Sequence, residues 1–293
     1  MAEDVPWDLY RSFLAVLAEG SLSGAARALG IAQPTVGRHV AQLERSLGLA
    51  LFTRSQSGLL PTEAASELRA HAIAMESAAA ALKRAASSQG TRVEGVVRVT
   101  ASDVIGVEVL PPILAALRER HPGLTIELVL TNKVQDLLRR EADIAVRMVR
   151  PSQEALVARR IGRIELGVHA TPAYLARRGV PRELADLEHH ALIGFDRPTP
   201  FVRDAIRVFG DIDREAFDLR SDSDLAQLAL IRAGAGLGMC QVPLARQGDL
   251  VRVLPKVSLH LETWVTMHEG LRNNPRCRAT FDALIAGLAR YID

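Results

Sequence analysis

The chain has 293 residues, which is more than one ordinary hydrophobic core holds and indicates two or three domains. Hydrophobic residues make up 48% and charged residues 24%, a balance that is ordinary for a soluble globular protein. The net charge is only +2, and eight basic residues balance eight acidic ones within residues 1–90. Any binding of nucleic acid must therefore depend on where the charges lie.

The N-terminus and the cysteines bear on the compartment. The segment MAEDVPWDLY carries acids where a secretory signal needs bases and an apolar core, which predicts a cytoplasmic protein. No run of about 18 uncharged apolar residues occurs, so we expect no membrane span and no membrane partner. Cys240 and Cys277 lack Cys-x-x-Cys spacing and are interpreted as packing residues rather than a disulfide or metal ligands.

Residues 1–62 have the pattern of a winged helix-turn-helix, a fold that binds DNA. Apolar residues at helical spacing and short apolar pairs predict three helices over about 7–19, 21–29 and 31–47, and two strands at 51–52 and 59–60. Ser21 or Ser23 is the expected cap of the second helix, and Pro34 fits the first turn of the third.

A long alanine-rich helix is predicted to follow over residues 63–90, and its period is seven. The apolar seam consists of Ala65, Leu68, Ala72, Met75, Ala79 and Leu82. Such a seam predicts dimerisation through this linker helix. The alternative is an amphipathic helix that lies on its own domain.

From residue 91 onward, strands alternate with helices, which predicts an α/β domain with mostly parallel strands. The predicted strands lie at 96–99, 124–130, 144–148, 166–169, 192–195, 217–220, 238–242 and 264–268, and the predicted helices at 109–120, 134–139, 224–233 and 275–291. About 200 residues exceed one small sheet, so we expect two lobes, lobe I at about 91–160 and 269–293 and lobe II at about 161–268. Ligands bind such folds at the carboxyl ends of the strands.

Several short runs, in order along the chain, resemble the LysR-type transcriptional regulators. They are Phe13-Leu14-Ala15-Val16, Ser23-Gly24-Ala25-Ala26-Arg27-Ala28-Leu29, Gln33-Pro34-Thr35-Val36, Leu43-Glu44, Leu47-Gly48, Leu51-Phe52-Thr53-Arg54, Pro61-Thr62, Leu110-Pro111, His121-Pro122, Asp143-Ile144-Ala145-Val146-Arg147 and Ala233-Gly234-Ala235-Gly236-Leu237-Gly238. The resemblance implies an α+β multidomain chain whose 91–293 domain is like periplasmic binding proteins. It also implies a homo-oligomer, usually a tetramer, and RNA polymerase is a further candidate partner. Ala32 and Gly37 depart from the family, which mostly has Ser or Thr there.

The third helix is expected to enter the major groove of double-stranded DNA. The predicted DNA-binding residues are Ser23, Gln33, Pro34, Thr35, Arg38, Thr53 and Arg54. Three alternatives stay open: a solvated helix face for the third helix, a salt bridge to Glu44 for Arg54, and an ordinary helix cap for Ser23.

The ends of the later strands predict the effector site. Its candidates are Ser102, Thr131, Arg147, His169, Phe195, Asp222 and Ser223. Hydrogen-bond donors and a cation favour a small carboxylate. The alternatives are a surface salt bridge for Arg147, a structural role for His169, and plain core for Phe195.

Two short motifs bear on whether the chain is an enzyme or binds a metal. The run from Gly234 to Gly238 lacks dinucleotide spacing and follows a helix, and the pair His189-His190 has no partner at ligand spacing. We therefore expect no enzyme, no cofactor and no metal. The remaining alternative is a solute-binding or metabolite-processing α/β protein without DNA-linked regulation, but a secreted binding protein needs the signal that is missing here.

Overall fold

The computed structural model describes residues 5–55, 58–86, 92–132, 142–151, 156–199, 202–203 and 214–293. These residues fall into two compact units, one that ends at Ala86 and one that follows it. Each unit has a buried apolar core of its own. Within the described ranges, no helix is both long and apolar enough to cross a bilayer.

The first unit has the predicted order of elements. It comprises α1 (Trp7–Glu19), α2 (Leu22–Leu29), α3 (Gln33–Leu47), β1 (Phe52–Ser55), β2 (Gly58–Pro61) and α4 (Glu63–Ala86). The first three helices end at Gly20, Gly30 and Gly48, whose left-handed backbone glycine adopts without a side-chain clash. Ser21 is the cap of α2, because its hydroxyl accepts the Gly24 N–H at 3.1 Å.

The linker helix α4 divides into two parts. Ala65 and Ala72 are 0% and 2% exposed and belong to the core of the first unit, with Leu68 packed against it. Met75 and Leu82 are 42% and 68% exposed. The first turns of α4 therefore pack on the helix's own domain, as the alternative had it. Of the predicted dimer seam, Met75, Ala79 and Leu82 lie outside this core.

The second unit contains a six-stranded sheet in the order β4-β3-β5-β10-β6-β9 and a small sheet of β7 and β8. Its strands are β3 (Gly95–Ala101), β4 (Leu124–Leu130), β5 (Ile144–Arg147), β6 (Leu156–Ala170), β7 (Ile193–Gly194), β8 (Leu219–Arg220), β9 (Gly238–Gln241) and β10 (Val251–His268). Its helices are α5 (Leu110–Arg120), α6 (Pro172–Arg178), α7 (Asp224–Arg232), α8 (Val242–Gln247) and α9 (Pro275–Ile292).

The expectation of mostly parallel strands is only half right. Strands β4, β3 and β5 are parallel, as are β7 and β8, but β10 runs antiparallel to β5 and β6, and β6 to β9. Strands β6 and β10 have 15 and 18 residues and pair over most of their length. The sequence predicted only the apolar end of each, since their exposed stretches lack alternation.

One helix prediction differs from the structure and another is untested. The helix expected at 109–120 is preceded by a π-helical turn over Ile105–Val109 that runs directly into α5. The helix expected at 134–139 lies outside the described residues. The main core of the second unit joins side chains of β3, β5, α5 and α9 with others from α7, β9 and α8.

Candidate DNA interface and effector site

The outer face of α3 carries the predicted DNA-binding residues. Gln33, Pro34 and Arg38 are exposed, and Thr35 is half-buried. The opposite face is buried in the first unit through Val36, Val40 and Leu43. The amphipathic pattern therefore leaves the expected residues accessible while it fixes the helix from behind.

The two departures from the family motif lie at the start and in the middle of α3. Ala32 is the N-cap and has no side-chain hydrogen bond to the helix. A Cβ on Gly37 would lie 3.5 Å from Leu22 Cδ1, an ordinary contact. A side chain with a hydroxyl would therefore fit at both positions.

Ser23 lies in the exposed first turn of α2, directly after Leu22. Because Ser21 caps the helix, the Ser23 hydroxyl is not the helix cap, and its nearest recorded partner is the Ser21 hydroxyl at 3.5 Å. The alternative of an ordinary cap for Ser23 is therefore wrong.

The wing strand β1 is anchored to α3 by Glu44. Its Oε1 accepts the backbone N–H groups of Leu51 at 2.8 Å and Phe52 at 3.3 Å. This explains the Leu43-Glu44 motif, whose role the sequence did not reveal, and it gives Glu44 a partner other than Arg54. Thr53 and Arg54 are exposed on β1, next to the anchored residues.

The far end of the wing is tied to the turn between α1 and α2. Leu59 N–H donates to the Gly20 carbonyl at 2.9 Å. A Cβ on Gly58 would lie 2.6 Å from that same carbonyl oxygen, and the φ of Gly58 is +130°. Glycine is therefore required at this close approach, and the wing is held at both ends.

In the second unit, strand register brings three effector candidates into one row. Ala101 of β3 pairs with Leu130 of β4 and with Val146 of β5. The next residues along these strands are Ser102, Thr131 and Arg147. The Thr131 N–H donates to the Ala101 carbonyl at 2.9 Å, which holds Thr131 beside Ser102.

Arg147 is buried, only 3% exposed, so the alternative of a surface salt bridge is wrong. Its Nη1 donates to the Val146 carbonyl at 3.0 Å, and its Nη2 donates to the Thr100 hydroxyl at 2.9 Å. The guanidinium is thus a buried positive charge that is hydrogen-bonded to Thr100 of the neighbouring strand β3.

The candidates at β7, β8 and α7 lie together at a second edge. Ser221 N–H donates to the Gly194 carbonyl at 2.9 Å, which brings Phe195 beside the β8 end. Asp222 accepts the Arg197 N–H at 2.7 Å, and Ser223 caps α7 by accepting from Ala226 at 3.3 Å. Phe195 is half-buried and lines a small apolar cavity of about 70 Å³. Asp222 and Ser223 therefore have local structural bonds in addition to any ligand role.

The two edges meet through a residue that the sequence did not single out. Asn132, directly after Thr131, donates to Asp224 Oδ2 at 3.1 Å, and Asp224 follows Ser223. Burial and the neighbouring Asp103 raise the pKa of the Asp224 carboxyl. In the sequence, the only indication that Asn132 belongs to this site was its place directly after a predicted strand.

His169 is buried at the end of β6, and its Nδ1 lies 2.8 Å from the Gly167 carbonyl of the same strand. Burial lowers the pKa of His169, so the imidazole is neutral near pH 7. The structural alternative therefore describes His169 better than a role as a ligand cation. A groove of about 660 Å³ also exists, but it lies between α5 and α9, away from the row of Ser102 and Thr131.

Family models match both units. Residues 7–66 match a model described as bacterial regulatory helix-turn-helix protein, lysR family, and residues 90–289 match one described as LysR substrate binding domain. The HTH-type transcriptional regulator CrgA of Neisseria meningitidis is 33% identical over 188 residues, 64% of this chain and 62% of CrgA. The match thus spans about three fifths of that relative. A probable regulator of Klebsiella pneumoniae, LtrA, is 28% identical over 83% of this chain and 81% of its own.

Solved structures confirm the predicted fold, with a helix-turn-helix, a linker helix and an α/β domain like periplasmic binding proteins. Full-length CbnR in complex with its target DNA has a TM-score of 0.64 at 21% identity and covers 98% of this chain and 99% of its own. The Vibrio cholerae activator AphB has a TM-score of 0.61 at 21% identity and covers 96% and 99%. At these identities the likeness concerns the fold alone.

Proposed function

Because this chain belongs to the lysR family of bacterial regulatory helix-turn-helix proteins, we propose that it regulates transcription by binding double-stranded DNA through α3 and the wing. The observation that carries this proposal is the exposed face of α3, with Gln33 and Arg38 on a helix fixed from behind. Gln33 can both donate to and accept from adenine, and Arg38 can read guanine or contact phosphate. The site of action is then the cytoplasm, where bacterial DNA lies.

A gel-shift series on the gene's own upstream region tests this role. If Arg38 reads a base, Arg38→Ala weakens binding by ~1–3 kcal/mol and relaxes preference at one position. If it contacts only phosphate, the loss is equal on all probes and the salt slope falls by about one. Arg69→Ala is the matched control, because Arg69 is an exposed arginine on α4 of the same unit. Unchanged affinity of Arg38→Ala on every probe would remove Arg38 from the interface.

We further propose that the second unit binds a small organic anion at the row of Ser102 and Thr131. The support is the register of β4, β3 and β5, which places Thr131, Ser102 and the buried Arg147 in one row at the strand ends. Hydroxyl donors next to a cation favour a carboxylate. Phe195 adds an apolar wall, which favours an aromatic acid.

Thermal shift with benzoate and succinate against benzamide and succinamide tests the class of ligand. A ligand at 100 times its dissociation constant stabilises the protein by ~2.7 kcal/mol. Thr131→Val and Ser102→Ala should reduce the shift, while Thr125→Val, an exposed threonine on β4, should not. Arg147→Ala is unsuitable, since its removal leaves the buried Thr100 hydroxyl without this donor and destabilises the fold. Equal binding of the neutral amides would contradict the anion proposal.

Self-association through α4 is the third part of the proposal. Its support is the exposed apolar surface of Met75 and Leu82 on a helix whose first turns are already packed. A dimer that buries these side chains gains hydrophobic stabilisation and pairs two helix-turn-helix units on DNA. Further association to a tetramer is part of the same proposal.

A further inference from the structure

Helix α7 belongs to predicted lobe II, yet its C-terminal end is bonded to lobe I. The Nη1 and Nη2 atoms of Arg232 donate to the two carboxylate oxygens of Glu108 at 2.8 and 2.7 Å. Glu108 lies in the π-helical turn that precedes α5. A two-pronged arginine–carboxylate pair fixes orientation as well as distance. Its hydrogen bond to Arg232 lowers the pKa of Glu108, so the pair is charged at neutral pH.

The N-terminal end of α7 is bonded to lobe I as well. Asn132 donates through Nδ2 to Asp224 at 3.1 Å and to Asp103 at 3.2 Å, while its Oδ1 accepts the Asp103 N–H at 3.1 Å. One amide thus stands between two carboxylates and donates to both. These bonds offset the repulsion between Asp103 and Asp224 and attach the first turn of α7 to the ends of β3 and β4.

Between its two ends, α7 is held by apolar packing. Leu228 and Ile231 are buried and belong to the same core cluster as Val99 of β3 and Val146 of β5. The body of the helix packs mainly on β7, β9 and β6, and its side-chain bonds to lobe I are the ion pair at one end and the amide bridge at the other. The amide bridge adjoins the proposed effector row, because Asp103 follows Ser102 and Asn132 follows Thr131.

We propose that α7 is a clasp that holds lobe II on lobe I at the edge of the effector site. Glu108 and Asn132 are its two anchor residues on lobe I. Release of the clasp lets α7 and the adjoining strands β8 and β9 move away from the Ser102–Thr131 row, and its closure covers that row. A regulatory role for the clasp rests on the proposed effector site. The contacts that form the clasp do not require a ligand.

Hydrogen–deuterium exchange of the full-length protein tests the clasp without an effector. Glu108→Ala and Asn132→Ala each remove an anchor that is not itself on α7, so the amides of α7 report the effect from across the contact. Each variant should raise the exchange rate in α7 about fivefold, the change expected for loss of one partly exposed polar contact, and leave the rates in α9 unchanged. Glu108→Gln, which keeps the side-chain length, is the second variant should Glu108→Ala not fold.

Glu127→Ala is the matched control. Glu127 of β4 pairs with Arg98 of β3 at 3.0 Å, so its removal breaks an exposed ion pair inside lobe I alone. Faster exchange in α7 for the anchor variants, with no change for the control, supports the clasp. Unchanged exchange in both anchor variants, or an equal rise in the control, overturns it. Such a failure leaves the effector site standing, since that is tested by the thermal shift of Ser102 and Thr131 variants.

Discussion

Replacing Gly37 by alanine should stabilise the first unit. Gly37 lies inside α3, where glycine costs a helix ~0.8–1.0 kcal/mol relative to alanine. The new Cβ would lie 3.5 Å from Leu22 Cδ1, so the methyl group makes an ordinary contact and no clash opposes the gain. We therefore expect the free energy of unfolding of this unit to rise by about 1 kcal/mol.

Calorimetry of the full-length protein measures this change. For a domain of 60–100 residues, 1 kcal/mol corresponds to a rise of about 4–8 °C in melting temperature. Gly24→Ala is the control, because its Cβ would lie 2.9 Å from Glu19 Cβ and 3.0 Å from Ser21 Oγ. The same added methyl group is squeezed there, so the melting temperature should fall.

Gly37→Ser separates stability from recognition. It restores the hydroxyl that the family mostly has, and comparison with Gly37→Ala isolates that hydroxyl in a gel shift. Tighter DNA binding by the serine variant would assign position 37 to the interface. A lower melting temperature for Gly37→Ala, or a higher one for Gly24→Ala, would refute the reasoning from helix propensity and spacing.

Four further predictions follow from single sites. Ala32→Ser supplies a side-chain cap for α3 and should raise the free energy of unfolding by ~1 kcal/mol. Ser21→Ala removes the cap of α2 and should lower the free energy of unfolding by a similar amount. Urea unfolding measures both changes. Met75→Glu should shift sedimentation to smaller species, and Ile73→Glu, an exposed apolar residue outside the seam, should not; identical profiles would place the dimer contact elsewhere. Burial raises the pKa of Cys240 to about 11, so a thiol reagent at pH 8 should label it slowly in the folded protein and rapidly after denaturation, and rapid native labelling would contradict this. Burial lowers the pKa of His169 below its ordinary 6.5, so the unfolded chain binds the proton more readily and the free energy of unfolding should fall as the pH drops below about 6.5. His169→Gln should reduce that fall, measured as melting temperature between pH 7 and pH 5. An unchanged dependence on pH would exclude His169 as its source.

The first unit could be predicted almost fully because its determinants are local. Glycines at the helix ends and apolar residues at helical spacing fix the three helices, and the seam of α4 is visible as a period of seven. Two points were beyond such reasoning. The burial of Ala65 depends on which surface the helix meets, and the wing anchor at Glu44 depends on a contact with backbone groups seven and eight residues away.

The second unit was harder because its determinants are distant in sequence. The parallel strands β3, β4 and β5 were predicted from their apolar runs, which are largely buried in β3 and β5 and partly exposed in β4. The long antiparallel pair of β6 and β10 was not, since it joins residues about 80 to 110 positions apart and much of it is exposed. Strand ends predicted Ser102 and Thr131, but the burial of Arg147 and the bridge at Asn132 required the register and the partner helix.

The contacts of α7 with the ends of β3 and β4 give a physical route from the proposed effector row to α7. A ligand that hydrogen-bonds Ser102 and Thr131 acts on residues joined by one peptide bond to Asp103 and Asn132, the groups that hold the first turn of α7. A ligand shifts an equilibrium only by its difference in affinity for the two states. Here the two states are α7 bonded to Asn132 and α7 released from it. An anion in the row adds a negative charge beside Asp103 and Asp224, and it repels the two carboxylates that Asn132 holds together. An anionic effector should therefore weaken the amide bridge more than a neutral analogue of the same shape, and exchange at the N-terminal turn of α7 would rise with the acid and not with the amide.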